Sequence, residues 1–187
     1  MNDVSKSESS AGAPPAVASA SSGQGPGASR RTPLWATLVA TFFGIGRLRP
    51  GPGTWGSAVT VLLWAALGRA ISPSVRTPVA IALAILVTLI GIPAATHVAR
   101  ASATKDPQFV VIDEVAGQLV ALIAVPFAWK SFLASFILFR VFDIVKPPPV
   151  RQLEAIPEGA GIVLDDVAAG LYVLGIMHLL LHFGLLT

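Results

Sequence analysis

Cysteine is absent from this chain. That removes disulfides, thiolate metal sites and cysteine nucleophiles at once. Charge is scarce too: Asp, Glu, Lys and Arg make up 12% of 187 residues, about half the share usual in soluble domains. Hydrophobic residues account for 53%. This is the composition of an integral membrane protein with one domain. The net charge of +3 comes from basic residues flanking apolar runs, which suits anionic lipid headgroups and not a nucleic-acid groove. No repeat of solenoid type is present.

Residues 1–32 are rich in Ser, Ala, Gly and Pro and hold no aromatic residue. They cannot bury enough surface to offset ordering entropy, so a disordered tail is expected. The tail also lacks the apolar core of a secretory signal. Residues 33–187 form the folded unit, expected to be all-α: a polytopic membrane helical bundle of about five spans plus a short re-entrant or interfacial helix. Leu34–Ile45 is the short element, because twelve residues at about 1.5 Å each cannot cross a core of about 30 Å. Its Trp35 would sit at headgroup level. The expected spans are Thr54–Ile71, Val79–Ala99 with Pro93 kinking its end, Val110–Trp129, Ser131–Lys146 and Ile162–Leu186.

Polar residues enter these runs at few places. Pro50-Gly51-Pro52-Gly53-Thr54 makes a stiff loop in which Thr54 is a candidate N-cap with Ser57 three residues on. Free N–H groups at such a helix start suit phosphate, although an ordinary capped turn reads the same way. The P-loop spacing is absent. Asp113-Glu114 opens the third expected span and Asp165-Asp166 the fifth. Arg140, Asp143 and Lys146 close the fourth at i, i+3 and i+6, within about a third of a helix circumference. Pro147, Pro148 and Pro149 then stop that helix. An Arg140–Asp143 pair that only locks packing is the plain alternative.

Alternating spans bring all these groups to one side of the membrane. Lys and Arg are also in excess there: Arg30, Arg31, Arg47, Arg49, Arg100, Lys105, Lys146 and Arg151, against Arg69, Arg76 and Lys130 on the other. The site therefore faces the cytoplasm. Ala and Gly follow each acid pair (Ala116-Gly117, Ala168 to Gly170) and allow close helix contact. Five gathered carboxylates repel one another, and a hard divalent cation such as Mg²⁺ relieves that repulsion. Arg140 and Lys146 would hold phosphate oxygens, with Thr54 supplying a further contact. Metal-assisted phosphoryl chemistry on a lipid is the economical reading.

Absences narrow it further. His178 and His182 lie far along the last span, and His97 stands alone, so a histidine nucleophile has no support. The DxDx[TV] pattern of soluble aspartyl-phosphate enzymes is missing, as is the DxxDG pattern of phosphatidyl-alcohol transferases.

Four blocks resemble the phosphatidylglycerophosphatase A family: Gly53-Thr54-Trp55-Gly56-Ser57, Ile112 to Gly117, Phe139 to Pro149, and Gly161 to Gly170. The likeness runs from about Leu34 to about Leu180 and leaves the tail uncovered. It implies a helical, Mg²⁺-dependent membrane enzyme that converts phosphatidylglycerophosphate in the bilayer to phosphatidylglycerol. It also implies residence in a bacterial inner (cytoplasmic) membrane. By motif position it marks Asp113, Glu114, Asp143, Asp165 and Asp166 as metal or catalytic acids, and Arg140 and Lys146 as phosphate holders. Thr54 and Ser57, as further phosphate-binding residues, and Asp106 and Glu154 match more loosely. The departures are small: three consecutive prolines, often interrupted by a bulkier residue, and Val163 where methionine is common. Water attack at phosphorus and a transient aspartyl-phosphate both fit the residues. So does a homo-oligomer formed through the small-residue faces.

The rival from another class is an ion-coupled transporter using the same acids. Coupling acids usually lie near the midplane, between inverted repeats. Here the acids sit near helix ends, and the two acid-start helices run in one direction.

Overall fold

The computed structural model describes residues 32–186; the expected disordered tail, up to residue 31, lies outside them. Among the described residues the chain is all-helical, with seven α-helices and no strand. They are α1 (Leu34–Ala40), α2 (Pro52–Ala70), α3 (Pro73–Ser102), α4 (Ile112–Ala121), α5 (Trp129–Val145), α6 (Val150–Leu153) and α7 (Glu158–His182), with a 3₁₀ turn at Ile45–Arg47.

Helix α3 shows how the bundle is built. Its small residues Ala80, Ala84, Gly91, Ala94, Ala95, Val98 and Ala99 are buried, while Ile81, Ile85, Leu86, Leu89 and Ile90 are exposed. In water each such exposed side chain forgoes about 1.5–3 kcal/mol of burial. In hydrocarbon there is nothing to forgo, and small inward residues let helices approach closely. Two helices, α3 and α7, are long and apolar enough to cross a membrane. Helices α2 and α5, at 19 and 17 residues, fall below that standard in length or apolarity.

The five-span expectation therefore does not carry through in full, and the third segment differs most. Val110–Trp129 is not one continuous helix: α4 spans 10 residues, about 15 Å. Beyond it Ala124 takes a left-handed φ of 55° and Pro126 follows. The non-helical stretch is only partly buried, with Ala124 and Ala128 exposed. Phe127 packs where a Cβ on Gly68 would fall and lies beneath Arg76 and Arg69, at 4.2 and 5.6 Å. Helix α4 itself is the hub, with every residue but Glu114 buried. It packs against α2, α3, α5 and α7.

The short first element is present but shorter than Leu34–Ile45. Helix α1 stops at Ala40, and Phe42, Phe43 and Gly44 all take positive φ. The carbonyl of Ala40 accepts a hydrogen bond from Val111 N–H at 2.8 Å, fastening this element to the start of α4. His97 packs edge-on against Trp35, with ring centroids 5.6 Å apart, so it is a packing residue.

Candidate active site

The chain direction of each helix places the charged groups. Helices α4 and α7 bring their acid pairs to one end of the bundle, and α5 ends there. The crossing of α4 and α7 is as close as backbones allow. A Cβ on Gly117 would overlap the carbonyl of Asp166, and one on Gly170 would overlap the carbonyl of Gly117. That contact sets Asp113 and Glu114 beside Asp166.

The end of α5 is shaped by Pro147. A residue before proline is disfavoured in the right-handed helical region, and Lys146 instead takes left-handed φ 47°, ψ 64°. That conformation costs a non-glycine residue about 1–2 kcal/mol. It turns the Lys146 ammonium onto Asp165 Oδ2 at 2.7 Å and Glu154 Oε2 at 3.4 Å. The proline segment is pinned in turn: Tyr172 donates to the Pro148 carbonyl at 2.6 Å and stacks on Phe142 at 5.5 Å.

These elements enclose a cavity of about 520 Å³ lined by Asp106, Asp113, Glu114, Asp143, Asp165 and Asp166, with Arg140 and Lys146 as its cations. The carboxylates fall into two sets. Asp143 and Asp165 are paired, to Arg140 at 2.6 Å and Lys146 at 2.7 Å. Asp113, Glu114 and Asp166 each offer an oxygen within 4.8 Å of the others. One buried oxygen on each of these three (Asp113 Oδ1, Glu114 Oε2 and Asp166 Oδ2) lacks a hydrogen-bond partner. Arg140 lies 3.8 Å from Glu114 and touches this set only at its edge.

Orphaned carboxylate oxygens gathered together are unfavourable unless a proton or a cation joins them. The donors are all oxygen, with no histidine or thiol among them, which fits a hard cation. Asp113, Glu114 and Asp166 are placed to hold a metal ion.

Outside the helices, burial raises the carboxyl of Asp106 above its ordinary range, with Lys146 opposing. For Lys146 burial pulls the other way, but the hydrogen bond to Asp165 outweighs it and keeps the ammonium protonated well above the usual range. This cation stays charged at any physiological pH.

Two sequence candidates stand apart. The N-cap of α2 is Gly51, in a left-handed conformation, so Thr54 lies inside the first turn and is exposed. Ser57 is buried and donates to the Gly53 carbonyl at 3.0 Å. Neither lines the cavity. The loop reaches the site through backbone: Gly53 fits against the Glu114 carboxylate with no room for a Cβ. Asp106 and Gln108 line the cavity although the spacing argument gave Asp106 little weight and Gln108 none. Their only signal is two polar residues just ahead of an apolar run.

A family model for phosphatidylglycerophosphatase A matches residues 38–181. The chain belongs to that family. Phosphatidylglycerophosphatase A of Haemophilus influenzae is 35% identical over 137 residues, covering 72% of this chain and 82% of that protein. The Escherichia coli protein of the same name is 31% identical over 151 residues, covering 78% and 83%. A Bacteroides thetaiotaomicron protein with the provisional name phosphatidylinositol-3-phosphatase is 38% identical over 146 residues, covering 76% and 91%. No solved structure matches. By family this phosphatidylglycerophosphatase A member is an enzyme, a phosphoric monoester hydrolase.

Proposed function

We propose that the protein is a Mg²⁺-dependent lipid phosphatase that removes the terminal phosphate of phosphatidylglycerophosphate to give phosphatidylglycerol. One observation carries the reading: six carboxylates line a cavity with two cations, so a phosphate dianion can enter only with added positive charge. Asp113, Glu114 and Asp166 would hold the Mg²⁺, which supplies Lewis-acid polarisation and charge neutralisation when bound. Arg140 and Lys146 can exchange part of their contact with Asp143 and Asp165 for phosphate oxygens, at little electrostatic loss. Asp143 and Asp165, released in that exchange, become available to accept the proton of the attacking water. The water oxygen bonds to phosphorus, the ester P–O bond breaks, and the glycerol oxygen leaves as the alcohol by taking the proton that the carboxylate accepted from the water. An aspartyl-phosphate route uses the same groups, with a carboxylate oxygen in place of water in the first step.

The exposed aliphatic faces of α3 and the excess of basic residues at the site end support a membrane enzyme with its site on the cytoplasmic side of a bacterial inner membrane. The Bacteroides relative favours a second substrate, phosphatidylinositol 3-phosphate, for the same hydrolysis. The test is phosphate release by purified, detergent-solubilised protein from phosphatidylglycerophosphate, phosphatidylinositol 3-phosphate and phosphatidic acid, with Mg²⁺ and with EDTA. Mg²⁺-dependent release, fastest from phosphatidylglycerophosphate, is expected. No release from any of the three by a monodisperse preparation would overturn the reading, and the acids would then be ion-coupling groups of a transporter.

A further inference from the structure

A second cavity, of about 690 Å³, adjoins the acidic one and shares Gly51, Pro52 and Gln108 with it. Its charge is opposite. Arg47 and Arg49 line it, and no carboxylate does. Among the described residues neither guanidinium has an ion-pair or side-chain hydrogen-bond partner. Arginines in a chain with so few charges, placed beside a site crowded with acids, would be expected to pair with those acids. These two instead line a cavity of their own, exposed and apart from the acids.

The backbone beneath them is built firmly. Arg47 ends the 3₁₀ turn, where a Cβ on Gly46 would overlap the Phe109 carbonyl. Arg49 precedes the Pro50-Gly51-Pro52 segment, whose Gly51 is left-handed at φ 66°. The arginines are thus carried on a frame joined directly to the loop that seats Gly53 against Glu114. Phe109, on the same wall, is partly exposed and apolar.

We infer that Arg47 and Arg49 form a subsite for a phosphodiester, so that the enzyme selects lipids carrying a phosphodiester next to the phosphomonoester it hydrolyses. The inference rests on the phosphatase reading above and deepens it. Phosphatidylglycerophosphate and phosphatidylinositol 3-phosphate both have this pair of groups, separated by a short polyol. Phosphatidic acid has the monoester alone. Two adjoining cavities, one requiring a metal and one already cationic, match two phosphates of different kinds. The monoester goes where charge must be neutralised for chemistry, and the diester where a guanidinium fork only needs to hold it.

The test compares wild type with Arg47→Gln/Arg49→Gln in detergent free of other anionic lipid, using short-chain phosphatidylglycerophosphate. The KM is expected to rise at least tenfold with kcat within about threefold, the signature of lost binding and not lost chemistry. Inhibition by short-chain phosphatidylglycerol, which has only the diester, should weaken by a similar factor. Inhibition by inorganic phosphate, which needs only the acidic cavity, should stay within twofold. An unchanged KM, or equal weakening of both inhibitors, would overturn the inference while leaving the phosphatase reading intact. A defect seen only after anionic lipid is added would also overturn it, assigning the arginines to the bilayer surface. A wild-type enzyme that releases no phosphate sinks the phosphatase reading itself and removes the basis of the subsite.

Discussion

The two sets of carboxylates in this one cavity have opposite surroundings. Asp143 and Asp165 each rest on a cation, at 2.6 and 2.7 Å. Asp113, Glu114 and Asp166 face one another and keep orphaned oxygens. The paired acids are neutralised as they stand and hold Arg140 and Lys146 at the cavity wall. The unpaired acids repel one another when ionised, and an added cation relieves that repulsion. A candidate site for a metal ion is therefore visible as an imbalance of charge within a few ångströms.

That contrast can be broken from either side. The largest effect is expected from Asp166→Asn or Asp113→Asn, which removes an unpaired ligand. Phosphate release should fall about 10³-fold, as it does when a preorganised electrostatic element is lost. Melting in EDTA should move up or stay level, because repulsion falls. A clear loss of stability in EDTA would show that these acids already have partners. Next comes Lys146→Met, which should lower phosphate release about 100-fold. It should also destabilise the fold by about 1–3 kcal/mol by stranding the Asp165 carboxylate, a sign opposite to that of the first variants. Equal thermal behaviour of the two classes would erase the distinction between them.

Gly170→Ala tests the packing that creates the unpaired set. Its Cβ would meet the Gly117 carbonyl, so α4 and α7 must separate and the three oxygens with them. A loss of roughly tenfold in phosphate release is expected, with a higher Mg²⁺ requirement read from metal titration. Wild-type Mg²⁺ dependence in a folded variant would disconnect the crossing from the site. The smallest effect belongs to Tyr172→Phe, which removes the bond to the Pro148 carbonyl. About 1 kcal/mol of stability should go, with activity reduced about twofold. A loss as large as that of Lys146→Met would give the proline segment a direct role.

Much of the site was legible because its residues break the pattern around them. A charge in an apolar run is expensive and therefore conspicuous, and Asp113, Glu114, Arg140, Asp143, Lys146, Asp165 and Asp166 all stand out and all line the cavity. The phosphate role given to Thr54 and Ser57 is less direct, because capping propensity marks Thr54 while the chain caps α2 at Gly51. The backbone freedom of that glycine prevails over the hydroxyl. Asp106 and Gln108 sit in a loop whose path follows no periodicity, so only a loose motif match pointed to Asp106 and nothing pointed to Gln108.

The third expected span shows the limit most clearly. Val110–Trp129 is apolar throughout most of its length, and hydropathy treats it as one crossing. Hydropathy measures transfer into an apolar medium and is indifferent to whether that medium is lipid or neighbouring protein. Here the helix ends at Ala121 and the chain turns, with the Phe127 ring packed among Gly68, Arg69, Arg76 and Phe132.

The sequence by itself determined the helical class, the apolar exterior, the shared end at which the charges gather and the chemistry those charges permit. These follow from one-dimensional quantities: composition, run length and the alternation of chain direction. Only the tertiary structure decided which carboxylates are paired and which are left for a metal, and that a second, basic cavity adjoins the first. Pairing depends on ångström-scale approach. That approach is set by the glycine contact of α4 with α7 and by the backbone turn at Lys146, neither of which spacing along the chain can supply.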